Sequence, residues 1–432
     1  MMRRPGLLIL ILTVFIVFYA KDNKGVNDSI QNGDSVICGV ITNKKYKKST
    51  IEYIMRDSLI SVKKYDWESK QKNGILDLNI GDRVVFFGEN EDLDNMNIKG
   101  FDYGMYLKSV GINRYLMAKN FKLVGQSYIL SKISIAKDYI IKTNKFLYKN
   151  LSGIVNALVV GRIETVDEEI QYIFKDSGTS HIMAISGLHI GLIANMIVLL
   201  LGKISNLKRI IAIFIIIMVY SLMVGGGSSI YRAISMMAVL YASFFLDRDF
   251  DIENVVYVLS SIFIIMNPNV IYNASFLLSF GTVLSIRIFT RYLKLLLCFN
   301  SVCISIAANI LTAPIILFFY GEVSTVSIFG NIVAIPFVMI ILVLDFLSII
   351  FFNASFTISM AISQVNVHIL DTLINVLKMI GDYGVNNIVI KKMGMGAMIS
   401  YFFVVILIDI SLEKYFILKN KFDIVDKKNF EW

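Results

Sequence analysis

The polar and apolar positions divide the chain into three zones. From Lys21 to about Lys149 short apolar runs alternate with polar residues, as in Ser35-Val36-Ile37-Cys38-Gly39-Val40-Ile41, Ser58-Leu59-Ile60-Ser61-Val62 and Asp82-Arg83-Val84-Val85-Phe86-Phe87-Gly88. A period of two predicts strands, and Asn73-Gly74 and Gly81-Asp82 supply turn chemistry between them. Several short strands with a basic tip at Lys44-Lys45-Tyr46-Lys47-Lys48 predict a small five-stranded barrel of the OB type over residues 21–125. Over residues 126–176 the period changes. Ile129, Leu130, Ile133, Ala136, Ile140 and Ile141 fall at helical spacing with Lys132, Lys137, Lys142 and Lys145 between them, the pattern of a helix lying in a membrane interface. Thr165-Val166-Asp167-Glu168 then reads as a capping box opening a connecting helix toward Asp176.

The third zone, residues 177–412, consists of apolar runs about as long as a bilayer is thick. Spans are expected near 181–201, 210–225, 228–246, 255–267, 273–290, 295–319, 323–352, 358–380 and 395–412, with a basic tail over 413–432. Residues 1–20 place an apolar run, Leu7 to Ala20, behind Arg3 and Arg4, and no small-x-small cleavage signal follows it. It is expected to stay as an anchor, with the N-terminus inside. With the barrel outside, Lys203, Lys208, Arg209, Arg287, Arg291 and Lys294 then fall inside, as that rule requires. The segment 358–380 contains Gln364, Asn366, His368 and Asp371, and an interfacial position is the alternative for it.

Composition agrees with the pattern. The chain is 56% hydrophobic with a mean hydropathy of +0.66 and only 17% charged residues, more apolar material than one soluble core needs. The fold class is therefore a polytopic α-helical membrane protein with a small external β-domain near the N-terminus. Of the net charge of +9, the zone from Lys21 to Lys149 carries 22 Lys and Arg against 15 Asp and Glu, a balance that permits a polyanionic partner. Lys44, Lys45, Lys47 and Lys48 are the candidate contacts, with a solvated lysine loop as the alternative. Cys38, Cys298 and Cys303 form no CxxC pair and read as packing residues. The three histidines, His181, His189 and His368, provide no metal cluster, and no cofactor is expected.

The candidate chemistry lies in the stretch from Ser180 to Leu201, where polar groups head an apolar run. On one continuous helix His181, Ser186 and His189 would share an arc of roughly 140°, with Gly187 and Gly191 on the other side. Gly187-Leu188-His189-Ile190-Gly191 fits the small-xxx-small rule for close helix packing in lipid, which would turn the polar arc toward a wet cavity. Gly225-Gly226-Gly227-Ser228-Ser229, Asn267-Pro268-Asn269, Pro314 and Pro336 interrupt other runs, and irregular backbone at membrane depth needs protein or water around it. Arg232 stands one turn into a span, where it could meet phosphate, pair with Asp176 or Asp345, or snorkel. His181, Ser186, His189 and Arg232 are thus the candidate translocation path, and no catalytic residue is expected.

Several of these residues form a recognisable series. His181-Ile182-Met183-Ala184-Ile185-Ser186-Gly187-Leu188-His189-Ile190-Gly191 resembles the signature of the ComEC-type competence proteins. The likeness continues through Gly100-Phe101-Asp102-Tyr103-Gly104-Met105-Tyr106-Leu107 before Gly111-Ile112, Tyr231-Arg232-Ala233, Asn267-Pro268 with Ser275-Phe276-Leu277-Leu278-Ser279-Phe280, and Asn331-Ile332-Val333-Ala334-Ile335-Pro336. The resemblance implies a channel of the bacterial cytoplasmic membrane that takes single-stranded DNA inward, fed by an external DNA receptor and pulled by a cytoplasmic motor helicase. Membrane lipid is the surrounding partner, and a homo-oligomer is compatible with this reading. Many members carry a C-terminal metallo-β-lactamase-like domain. With three histidines in all, this chain is expected to be a short form without it, its nuclease a separate polypeptide or absent. No GxxxxGK[ST] occurs, so the driving force is expected from a partner. The rival readings are a secondary transporter for a small or lipid-linked solute and an intramembrane serine hydrolase using Ser186 and His189.

Overall fold

The computed structural model describes residues 5–23, 33–47, 49–63, 78–98, 101–201, 206–246, 251–296, 299–383, 388–389 and 392–429. Asn73-Gly74, Lys48, Cys298, Arg3, Arg4 and Lys203 lie outside them.

In the N-terminal region the strands are β1 (Gly33–Val40), β2 (Asn43–Tyr46), β3 (Thr50–Met55), β4 (Ser58–Lys63), β5 (Asp82–Glu91) and β8 (Arg114–Gln126), with the two-residue pair β6 (Asn97–Ile98) and β7 (Phe101–Asp102) between the last two. The main sheet runs β1-β5-β8-β4-β3-β2, antiparallel except for the parallel β4/β8 pair. β1 and β2 are two halves of one strand bent at Ile41-Thr42. The Ile41 amide donates to the Asp82 carbonyl on one side, and the Thr42 amide to the Ile54 carbonyl on the other, so the sheet closes on itself. Five strands with a split first strand and a parallel third-to-fifth pairing make the OB-type barrel that the alternation predicts. Along β5 the alternation is visible residue by residue, with Val84 and Phe86 wholly inside and Arg83 and Phe87 outside. The turn reading of Gly81 holds, since its φ is +100° and a Cβ there would meet the Ser131 amide nitrogen at 2.6 Å. Cys38 is exposed on β1, whereas Cys303 is fully buried in the membrane region.

The helices are α1 (Pro5–Asn23), α2 (Tyr103–Ser109, on the barrel), α3 (Tyr128–Tyr148), α4 (Ser152–Val160), α5 (Glu168–Asp176), α6 (Ser180–Met183), α7 (Gly187–Leu201), α8 (Asn206–Val224), α9 (Ser228–Leu246), α10 (Ile252–Met266), α11 (Ala274–Leu293), α12 (Asn300–Phe319), α13 (Ser327–Ala354), α14 (Phe356–Tyr383) and α15 (Met395–Asn429). Among the described residues, Ala274–Leu293, Asn300–Phe319, Ser327–Ala354, Phe356–Asp382 and Met395–Tyr415 are long and apolar enough to cross a membrane. The chain is a polytopic helical membrane protein.

The segment around 358–380 is a full-length helix long enough to span, in which Asn366 is buried with Leu370, Leu373 and Leu377 while Gln364, His368 and Asp371 are exposed. Three expectations change. Pro314 and Pro336 lie inside α12 and α13, which continue through them. The connecting helix α5 starts after Asp167, which makes no side-chain cap, while Thr165 bonds backward to the Arg162 carbonyl at 2.6 Å. Most consequentially, α3 does not merely lie along an interface. It leaves the barrel where the Ser127 amide meets the Gly81 carbonyl, and its 21 residues extend about 31 Å at 1.5 Å each. Near its other end Phe146 packs against Phe352 and Phe356, at the turn between α13 and α14. After Lys149 the chain reverses into α4, whose Ile154 to Val160 are all buried, making α3 and α4 a hairpin that enters the bundle and returns. Thr143 and Asn144 on its inner face allow it to pack there.

Candidate functional site

The polar stretch from Ser180 is not one helix. α6 stops at Met183, Ala184 is extended at φ −84° and ψ 137°, and a new helix starts at Gly187. His181 is therefore an exposed residue of a separate short turn and shares no helical arc with Ser186 and His189, which corrects the single-helix expectation. The turn that leads into α6 is fixed by its own polar residues. Gly178 takes φ +73°, and Ser177 and Thr179, fully buried, bond to each other at 2.8 Å and back to the Phe174 carbonyl. This knot sits against the start of α13, where a Cβ on Gly330 would lie 2.4 Å from the Ser177 carbonyl oxygen, and the approach needs glycine.

At the start of α7, His189 Nδ1 accepts the Ser186 amide at 3.3 Å and faces the Ser186 hydroxyl at 3.2 Å. An amide can only donate, so Nδ1 is the acceptor and the ring proton sits on Nε2, which is buried without a partner. His189 is 0% exposed. The pair fastens the helix start. As a nucleophile and base it lacks an orienting group on Nε2, the third member that such chemistry requires. Of the two packing glycines, Gly187 meets Ala233 of α9, with a Cβ placed 3.7 Å from the Ala233 Cβ, but Gly191 has open space beside it. Gly187 thus has a neighbouring helix at ordinary contact distance and Gly191 has none among the described residues.

Arg232, in the first turns of α9, is 1% exposed and does not snorkel. Neither Asp176 nor Asp345 pairs with it. Its Nη2 donates at 2.9 Å to both the carbonyl and the hydroxyl of Ser275 on α11, and the guanidinium carbon stands 6.0 Å from the Phe276 ring centre. Nε and Nη1 have no partner among the described residues. His189 and Arg232 are closed off from solvent in this structure, so the four path residues line no common opening. An apolar cleft of about 240 Å³ is bounded by Leu192 of α7 and by Met339, Ile340, Val343 and Leu344 of α13, and none of the four path residues lines it.

The basic tip also differs from a free cationic comb. Lys44 donates to the Leu78 carbonyl at 2.9 Å and lies 4.8 Å from the Tyr46 ring centre. Lys47 pairs with Glu52 and sits 5.4 Å from the Tyr103 ring centre. Burial, with Glu52 next, holds the Tyr103 hydroxyl above its ordinary pKa, so it meets Lys47 as a neutral group. Lys45 is exposed.

What sequence reasoning missed is the seat of the barrel. Asn43 donates to the Gly225 carbonyl at 3.4 Å, and Gly225, at φ +97°, would place a Cβ 2.5 Å from the Asn43 amide. Arg162 stacks 5.1 Å from the Tyr46 ring centre. Asn267 donates to the Lys108 and Ser109 carbonyls at 2.9 and 3.2 Å, and Asn273 to the Ser109 hydroxyl at 3.0 Å. Asn273 also caps α11 by accepting from Ser275 and Phe276. Ser109, Asn273, Ser275 and Arg232 therefore form one chain of contacts from barrel to α9. The Asn-before-Ala-Ser cap pattern was the one legible signal of it.

Residues 158–415 match the family model for the Competence protein family. The chain is 26% identical over 277 residues to ComE operon protein 3 of Bacillus subtilis, an alignment covering 62% of this chain and 35% of that relative. It thus spans about a third of the relative's length. No solved structure matches the chain.

Proposed function

Since the chain belongs to the Competence protein family, we propose that it is a channel carrying single-stranded DNA across the bacterial cytoplasmic membrane during natural transformation. The observation that carries this reading is the seat of the barrel. An OB-type barrel is a scaffold suited to single strands, and here it rests on the ends of α8, α10 and α11, where the backbone is irregular at Gly225 and from Asn267 to Asn273. Asn43 of the barrel donates to the Gly225 carbonyl, and Asn267 and Asn273 of the bundle donate to Lys108 and Ser109 of the barrel, so a strand handled by the barrel is delivered to a face of the bundle where these helices begin and end together.

Charge supports the direction. Lys208 and Arg209 open α8 at the end away from Gly225, and Arg287, Arg291 and Lys294 close α11 at the end away from Asn273. By the positive-inside rule the barrel is external and DNA moves away from it. In this reading the strand would meet His181 and Ser186 first, and because His189 and Arg232 are buried, passage would require α7 to part from α9. A conduit needs cations that touch phosphate without trapping it, which a single half-satisfied arginine provides better than a ring of them. The chain acts as a conduit and not as an enzyme. An external DNA receptor supplies the strand, and a motor helicase and a separate nuclease work beside it.

The test is uptake of end-labelled DNA by cells with and without this protein. Loss of internal single strand on deletion, with surface-bound duplex retained, is expected. Uptake unchanged by deletion overturns the reading.

A further inference from the structure

A second polar cluster lies between the α3/α4 hairpin and the α13/α14 pair, away from His189 and Arg232. Asp345 of α13 is 0% exposed, and among the described residues neither carboxyl oxygen has a partner in close hydrogen-bond geometry. The Tyr148 hydroxyl and the Asn144 side chain of α3 lie beside it as looser donors. Asn366 of α14 donates to the Tyr148 hydroxyl at 3.0 Å and to the Ile341 carbonyl at 3.1 Å, which fixes its amide so that Oδ1 is left over. Asn144 donates to Asn156 Oδ1 at 3.2 Å and likewise keeps an unpartnered Oδ1. Ser348 faces the Tyr148 hydroxyl at 3.2 Å and donates to the Asp345 carbonyl at 2.8 Å.

Four buried oxygen acceptors, two on Asp345 and one each on Asn144 and Asn366, thus gather round one tyrosine with no donor in close hydrogen-bond geometry among the described residues. Buried polar groups in a bilayer are almost always satisfied, because an orphan is expensive. One proton on Asp345 supplies one donor for four acceptors. A small cation satisfies several oxygens at once. A single carboxylate balances a single positive charge, whereas calcium and magnesium sites use more carboxylate or keep water.

We propose that Asp345, Asn144, Asn366 and the Tyr148 hydroxyl bind a hard monovalent cation, sodium, which fastens the re-entrant hairpin to α13 and α14. This site does not depend on the DNA-conduit reading and stands or falls separately from it.

The full chain, purified in detergent at pH 8 in choline buffer, is titrated with sodium, potassium or more choline while melting is followed, and radiosodium binding is measured by equilibrium dialysis. Sodium is expected to raise the melting temperature by about 2–5 °C at saturation, potassium less and choline not at all. Radiosodium is expected to bind once per chain. Asp345→Asn should abolish both effects, and Asn144→Ala should weaken them about tenfold, while Asp409→Asn, outside the cluster, retains them. Absence of radiosodium binding to the unmodified chain overturns the proposal whatever the variants do. So does sodium stabilisation that survives in Asp345→Asn, or equal stabilisation by all three salts.

Discussion

Arg232 Nη2 lies 2.9 Å from both the carbonyl oxygen and the hydroxyl of Ser275, joining α9 to the cap of α11. Those two bonds occupy one end of the guanidinium and leave Nε and Nη1 buried and open. A structural arginine of this burial is ordinarily fully bonded, and replacing it by a similar apolar volume is often neutral for stability. Arg232→Met is therefore expected to keep the melting temperature within about 3 °C while lowering transformation frequency at least 100-fold. Arg232→Lys, a point charge without the fork, should fall between. Unimpaired transformation in Arg232→Met would remove Arg232 from the path.

Asn273 caps α11 with its carbonyl and reaches Ser109 with its amide. Asn273→Asp keeps the cap and loses the donor, whereas Asn273→Ala loses both. The expected losses are about 1 kcal/mol for the first and 2–3 kcal/mol for the second. The hydrogen exchange of α2 should quicken in both, and that of the first turn of α11 only in Asn273→Ala.

Gly225→Ala puts a Cβ into the Asn43 amide at a backbone angle that alanine resists. The variant should fold its barrel and its bundle but free one from the other, seen as faster proteolysis between Phe121 and Ser131. Asn43→Ala in the same chain should recover the part due to collision and not the part due to φ.

Among the basic residues of the tip, Lys45 is exposed, whereas Lys44 and Lys47 are engaged by the barrel. Lys45→Ala should weaken single-strand binding to the full chain and reduce the slope of log affinity against log salt by about one. Lys44→Ala should change barrel stability more than that slope. Filter binding at five salt concentrations decides it.

Gly191→Ala should be silent in uptake and in melting, because nothing lies within 4 Å of the new methyl. Gly187→Leu should impair both, because that side meets Ala233.

The barrel strands and the membrane runs were legible because each depends on a local period, and Val84, Phe86, Leu370 and Leu377 occupy positions that the period alone assigns. The bend at Ala184 to Ser186 was not legible, since the turn that leads into it packs through Ser177 against Gly330, which lies far along the chain. The α3/α4 hairpin was misread for a related reason. Its lysine-studded spacing suits an interface equally well, and only the contacts of Asn144, Phe146 and Tyr148 with α4, α13 and α14 show where the helix ends. The candidate path residues were chosen by residue type, and the burial of His189 and Arg232 depends on neighbours that no window contains.

The bent first strand has one more implication. By pairing with β5 through one half and β3 through the other, it divides the sheet's unpaired margin between two separate halves, so that no single long edge is offered to a foreign strand. Edge-to-edge polymerisation through the barrel is disfavoured for that reason.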